Sequence, residues 1–319
     1  MNILPVTLAY KIPEQPVEKR WLIETLWAQQ AVGIIGGEPK CCKSFLALSL
    51  AVAVASGKPC LGQFHVPEPG RVLLFPAEDA LPVVKRRLQG IAAAQGVNLE
   101  GLPIVVITTP VLRLDTKTDC DRLRDTIEKV KPSILILDPF VRLHSIDENL
   151  SSEVAKLLHI LRQMQRSLKV AVALVHHAKK NASKTRPGQA LRGSSEFHAW
   201  GDSNLYIQKR LDNQFSLTIE HRAEPSPDPL DLTLVASDAP YLKILRSENV
   251  QTQPNTTHSP QQMILSTIAS ANRPLRPTEI RDSVKLRHAT VTNTLQSLTK
   301  NGSLIATQQG FTLPIKSQV

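Results

Sequence analysis

Aromatic side chains are scarce in this 319-residue chain: seven Phe, three Tyr and three Trp make up 4% of it. Its core must therefore be built from Leu, Ile, Val and Ala. Cysteine is scarce too. Four in this length, two of them the neighbours Cys41 and Cys42, exclude a disulfide framework and fit a reducing cytoplasm. No apolar run approaches the roughly 20 residues of a membrane span, and the longest, residues 46–55, reads as a buried helix. Residues 1–10 lack the basic start and apolar stretch of a signal peptide. A soluble, cytoplasmic protein with no membrane association is expected. Acidic residues are also in deficit: 28 Asp and Glu against 38 Lys and Arg leave a net charge of +10. That balance favours a polyanionic partner. With 42% hydrophobic and 21% charged residues, disorder is excluded.

Residues 31–247 alternate short apolar runs with helical patterns. Strands are expected at 32–35, 72–75, 104–107, 134–137, 170–175 and 205–208, with helices at 44–55, 82–95, 120–130 and 153–168. The runs are continuous, as in strands covered on both faces, and repeated β–α units build a mostly parallel sheet. Asp119 is the expected N-cap of the third helix. Residues 215–220 and 230–234 read as antiparallel additions at the sheet edge. Residues 248–259 are polar and lack a hydrophobic period, so they read as a linker. Residues 1–30 are expected to form an arm, with Trp21, Leu22, Ile23, Leu26 and Trp27 packing on a neighbouring subunit.

The strongest local signal is Gly36-Gly37-Glu38-Pro39-Lys40-Cys41-Cys42-Lys43-Ser44, with Phe45 next, lying between an apolar strand and a helix. This is the context of a phosphate-binding loop, in which backbone N–H groups hold the phosphates of ATP. Lys43 is the expected β/γ-phosphate cation and Ser44 a Mg²⁺ ligand. Cys42 replaces the glycine that normally precedes the lysine. Beside Lys43 and a helix N-terminus, the Cys41 and Cys42 thiols are expected to have lowered pKa values, which leaves a redox switch on nucleotide binding open. Asp138 closes the strand at 134–137 and is the second expected Mg²⁺ ligand. Glu78 and Asp79 follow the strand at 72–75; a carboxylate there either activates the attacking water or caps the next helix. His176 and His177 end the strand at 170–175, where a polar group can sense the γ-phosphate; adjacent strand residues face opposite ways, which argues against a metal pair.

These stretches, with 72–79, 135–140, 174–178 and 191–195, resemble the RepA-like branch of RecA-type ATPases, typified by plasmid hexameric replicative helicases. The resemblance covers residues 31–222, about 60% of the chain. It implies Glu78 as catalytic carboxylate, Asp138 as the Walker-B acid, His177 as sensor, and a homo-oligomeric, hexameric ring completed by an arginine in trans. Arg222 and Arg192 are the candidates. Arg192 shares a loop with Lys179, Lys180, Lys184 and Arg186, which alternatively faces single-stranded DNA.

Residues 260–319 show helices at 261–270, 278–284 and 289–300, then a hairpin-like stretch at 303–313. This resembles a winged helix, with Val291, Leu295 and Leu298 inward and Arg287, His288, Thr290, Asn293, Thr294 and Gln296 available to DNA. Winged helices also dock proteins, so that role stays open. Basic residues here outnumber acidic ones seven to two. Two functions follow: an ATP-hydrolysing ring that moves on or remodels DNA, in the manner of a plasmid or mobile-element helicase, or an ATP-gated DNA-binding switch or recombination or regulatory mediator without unwinding activity. An inactive ATPase fold fits poorly beside a complete Lys43, Ser44, Glu78 and Asp138 set.

Overall fold

The computed structural model describes residues 4–12, 20–178, 196–245, 260–271, 273–284, 288–301, 303–307 and 309–314. The chain divides into two units, Met1–Arg246 and Ser247–Val319. The first unit runs β1 (Trp21–Ile23), β2 (Trp27–Ala28), β3 (Val32–Gly37), α1 (Lys43–Ser56), β4 (Val72–Pro76), α2 (Leu81–Ala94), β5 (Ile104–Val106), α3 (Lys117–Val130), β6 (Ile134–Asp138), α4 (Ser151–Leu168), β7 (Ala171–His177), α5 (Glu196–Trp200), β8 (Ser203–Leu211), β9 (Gln214–His221), β10 (Leu230–Val235) and β11 (Tyr241–Ile244).

One nine-stranded sheet carries this unit, in the order β11-β10-β9-β8-β3-β7-β6-β4-β5. The pairs from β8 to β5 are parallel, and those from β8 to β11 are antiparallel. The result is a RecA-like α/β core with a mixed, mostly parallel sheet. Successive residues of the central strands feed two cores. Val72, Leu74, Ile134 and Ile136 join one with α1 and α2; Leu73, Phe75, Leu135 and Leu137 join the other with α3 and α4. Period-2 side-chain alternation against apolar layers on both faces explains why these strands read as unbroken apolar runs. Helix α1 is buried from Leu46 to Ala55, as a helix apolar on all sides must be. It ends at Gly57, in the left-handed region at φ 72°.

Several expectations need correction. Leu22, Ile23, Leu26 and Trp27 are at most 3% exposed within their own chain. The β1–β2 hairpin packs on the core, and Ala28 N–H donates to Ser203 Oγ at 3.0 Å, so these side chains do not cover a neighbour. Helix α3 starts earlier than expected, with Thr116 at the N-cap position. Asp119 lies inside its first turn, where it accepts from Arg113 N–H at 2.9 Å and pairs with Arg122. Strand β11 was not anticipated.

The second unit holds α6 (Pro260–Ala271), α7 (Pro277–Val284), α8 (His288–Lys300), β12 (Ile305–Thr307) and β13 (Gly310–Thr312). Ile264, Ile268, Ile280, Val291, Leu295, Leu298 and Leu304 form its core. Glu279 accepts from Arg276 N–H at 2.8 Å, closing the first turn of α7 from within. Leu275 and Phe311 exchange backbone hydrogen bonds at 3.0 and 2.8 Å, which adds a third segment to the β12–β13 hairpin.

Candidate nucleotide site

Parallel strands place their carboxyl ends on one edge, and there β3, β4, β6 and β7 deliver their last residues together. Gly37 lies in register with His177, and Pro76 with Asp138. A cavity of about 300 Å³ opens between these ends, lined by Lys40, Cys41, Cys42, Lys43, Ser44, Phe45, Pro76, Glu78, Asp79, Arg87, Asp138 and His177. Gly36, Gly37, Glu38 and Pro39 lead into it from β3. A Cβ at Gly37 would lie 2.3 Å from the Ile207 carbonyl oxygen and 2.6 Å from Cys41 Sγ, so no other residue fits there.

Lys43, at the first turn of α1, is buried, and its ammonium donates to the Glu38 carbonyl at 2.8 Å. Burial lowers its pKa, against the opposing pull of Cys41, Asp138 and Glu78. Asp138 accepts a hydrogen bond from Ser44, yet burial pushes its pKa up to about 6, helped by Asp79 and Glu78. A hydroxyl and a carboxylate held side by side, with the carboxylate under-neutralised, form the hard-oxygen pair that Mg²⁺ takes. The residues therefore fit the ion. Glu78 meets Arg142 Nε at 2.9 Å. Asp79 pairs with Arg87 and does not cap α2, whose N-cap is Ala80.

The thiol expectation is overturned. Burial raises the pKa of Cys41, outweighing Lys43, although Lys43 Nζ lies 3.9 Å from its sulfur. Cys42 is pushed up to about 11, again by burial first. Neither has the activated thiolate a redox switch needs. Cys42 adopts φ 67°, ψ 24°, the left-handed conformation that explains why glycine is the usual residue there.

His177 faces the cavity, whereas His176 is 1% exposed and stacks on Phe197 with ring centroids 4.0 Å apart. Arg222 lies away from the cavity. Strand β9 runs antiparallel to β8, so the residue after it reaches the amino edge of the parallel strands. There the Arg222 guanidinium donates to the Ala199 and Gly201 carbonyls and pairs with Asp202 at 3.6 Å. Lys179, Lys180, Lys184, Arg186, Arg192 and Arg287 lie outside the described residues, as do the side chains of His288, Thr290 and Asn293 on α8. Sequence reasoning missed Arg87, Arg142 and Lys209, the last acting electrostatically on Cys42. Arg87 had a faint signal in its place two helical turns beyond Asp79. Arg142 had none.

A family model described as AAA domain matches residues 2–183, more than half of the chain. The chain belongs to the AAA domain family. That membership implies nucleotide binding, with Mg·ATP as the usual ligand. No curated protein sequence matches the chain. Among solved structures, one described as an ATPase domain is similar with a TM-score of 0.52 and 17% identity, covering 66% of this chain and 83% of that one. A DnaB-like replicative helicase is similar with a TM-score of 0.50 and 15% identity, covering 68% of this chain and 58% of that one. At such identities the likeness shows the RecA-like fold of this AAA domain. Among the described residues, no helix is long and apolar enough to cross a membrane.

Proposed function

We propose that this AAA domain protein is a Mg·ATP-hydrolysing, DNA-dependent ring ATPase of the RepA-like branch. The observation that carries the reading is the convergence of Lys43, Ser44, Glu78, Asp138 and His177 on one cavity at the carboxyl edge. In it, backbone N–H groups of residues 40–44 and the Lys43 ammonium hold the phosphates, with Lys43 turning from the Glu38 carbonyl to the ligand. Ser44 and Asp138 hold Mg²⁺, which supplies neutralisation of the developing phosphate charge. Glu78 orients the attacking water and takes its proton. His177 contacts the γ-phosphate and passes its loss to the segment that follows. The arginine supplied in trans is Arg222 or Arg192; Arg222, exposed and outside the cavity of its own chain, lies where an arginine serving a neighbour's site must lie.

DNA as partner rests on the net charge of +10 and on the second unit, read as a winged helix with α8 as the DNA-facing helix. One observation favours the second reading, an ATP-gated DNA-binding switch: Cys42 holds a left-handed conformation next to Lys43, which points to slow turnover.

The test is ATP hydrolysis with and without single-stranded DNA, using Glu78→Gln and Lys43→Ala as controls. DNA-stimulated turnover lost in both variants is the expected result. Tight ATP binding without turnover, with or without DNA, would overturn the ring ATPase and leave the switch.

A further inference from the structure

Glu78 and Asp79 are neighbours on the turn between β4 and α2, and each is met by an arginine from a different element. The Asp79 partner, Arg87, also lies over the Phe45 ring at 5.0 Å. Those contacts tie α2 to α1 and have an evident packing role. The Glu78 partner is different. Arg142 Nε donates to Glu78 Oε1 at 2.9 Å, with the two side chains 61% and 41% exposed. An ion pair so open to water adds little to stability and costs side-chain entropy to hold in one geometry.

The backbone beneath Arg142 is nevertheless firmly set. Arg142 ends a single 3-10 turn, Phe140–Arg142, anchored by the fully buried Phe140. Its N–H donates to the Pro139 carbonyl at 3.2 Å, and Leu143 N–H to the Phe140 carbonyl at 2.8 Å. The turn starts two residues after Asp138. One short segment thus carries both the acid that meets Ser44 and the cation that meets Glu78.

We propose that Arg142 is a positioning residue: its guanidinium holds the Glu78 carboxylate in the orientation that faces the water attacking the γ-phosphate. The inference rests on reading the cavity as an ATP-hydrolysing site. Arg142 takes Oε1 and leaves Oε2 to accept the proton. As the water oxygen bonds to phosphorus and the ADP oxygen departs with its electron pair, the water proton passes to Glu78. Arg142 stays protonated throughout. Misplacing a reacting group by about 1 Å can cost on the order of 100-fold in rate, which is the scale at which a lost tether should be felt.

The experiment is steady-state ATP hydrolysis by the full chain as wild type, Arg142→Ala, Arg142→Lys, Glu78→Gln and the Arg142→Ala/Glu78→Gln double variant, with Lys43→Ala as background. Arg142→Ala should lower kcat by about 10- to 100-fold while KM for ATP stays within about three-fold. Arg142→Lys keeps the charge without the planar donor and should recover part of the loss. In the Glu78→Gln background, Arg142→Ala should cost nothing more, because two residues acting as a unit are non-additive. Wild-type kcat in Arg142→Ala, a loss confined to KM, or an equal fold-loss in the Glu78→Gln background would each overturn the proposal. Absence of turnover in the wild type would instead overturn the reading of the site itself, and this proposal with it.

Discussion

The two edges of the parallel strands hold comparable sets of charges and treat them in opposite ways. At the amino edge, Asp202 accepts from Val32 N–H and Arg162 Nη2, both at 3.2 Å, and pairs with Arg222. Arg162 also lies 5.7 Å over the Trp200 ring. This cluster is paired from within, and it clips β3, β8 and α4 together. At the carboxyl edge, Glu78 and Asp79 are paired with Arg142 and Arg87, while Asp138 is held by Ser44 and the Lys43 ammonium is directed at the Glu38 carbonyl. There burial raises Asp138 and lowers Lys43. Charge paired inside the fold is architecture, and a buried acid and a buried lysine that face one cavity without pairing mark where an external ion and its anion belong.

Substitutions at the two edges should separate these roles. The largest effect is expected for Glu78→Gln, with a fall in ATP turnover of about 10²- to 10⁴-fold and an unchanged urea midpoint. Next is Asp138→Asn in metal-free, nucleotide-free buffer. In the folded chain Asp138 protonates at about 6, above its ordinary 3.8, so the charged form is disfavoured by folding. Stability is therefore lost as the pH rises through about 6. At pH 8 the asparagine variant should be more stable than wild type by at most about 3 kcal/mol, and the gap should close between pH 6 and 4. A variant less stable at pH 8 would remove the idea of a disfavoured charge.

At the other edge, Asp202→Ala should cost about 2 kcal/mol of unfolding free energy by stranding the partly buried Arg162 and leaving Val32 N–H without its acceptor. Turnover per folded molecule should not change. A turnover loss as large as that of Glu78→Gln would erase the distinction between the edges. The smallest effect is Cys42→Gly. Relief of a left-handed non-glycine residue, offset by lost packing and a freer unfolded chain, should leave a gain of about 1 kcal/mol or less, read as a higher melting temperature. A lower one would show that thiol packing outweighs the strain.

Much of this was legible in the residues, for identifiable reasons. The central strands announced themselves because both faces are covered, so residues 72–75 and 134–137 had to be apolar throughout. Residues 36–45 were readable because a strand, a loop and a helix N-terminus are contiguous. What was hidden depended on three-dimensional placement. The apolar cluster at 21–27 shows that something must be covered, and not that its own core covers it. Arg142 lies 64 positions from Glu78, with only a single short turn to orient it. The edge at which Arg222 emerges was hidden too, because a strand pattern does not say where the end of an antiparallel strand lies. The thiols misled because their basic neighbours are visible in the sequence and their burial is not.

The most direct measurement is the melting temperature of the full chain with ATP and Mg²⁺ together, each alone, and neither, for wild type and Lys43→Ala. A ligand that binds only the folded state raises stability by mass action, about 2.7 kcal/mol at 100 times Kd. The expected result is a clear rise for wild type that needs both components and is lost in Lys43→Ala. A wild-type chain whose melting temperature ignores Mg·ATP would contradict the assignment of the carboxyl-edge cavity as a nucleotide site.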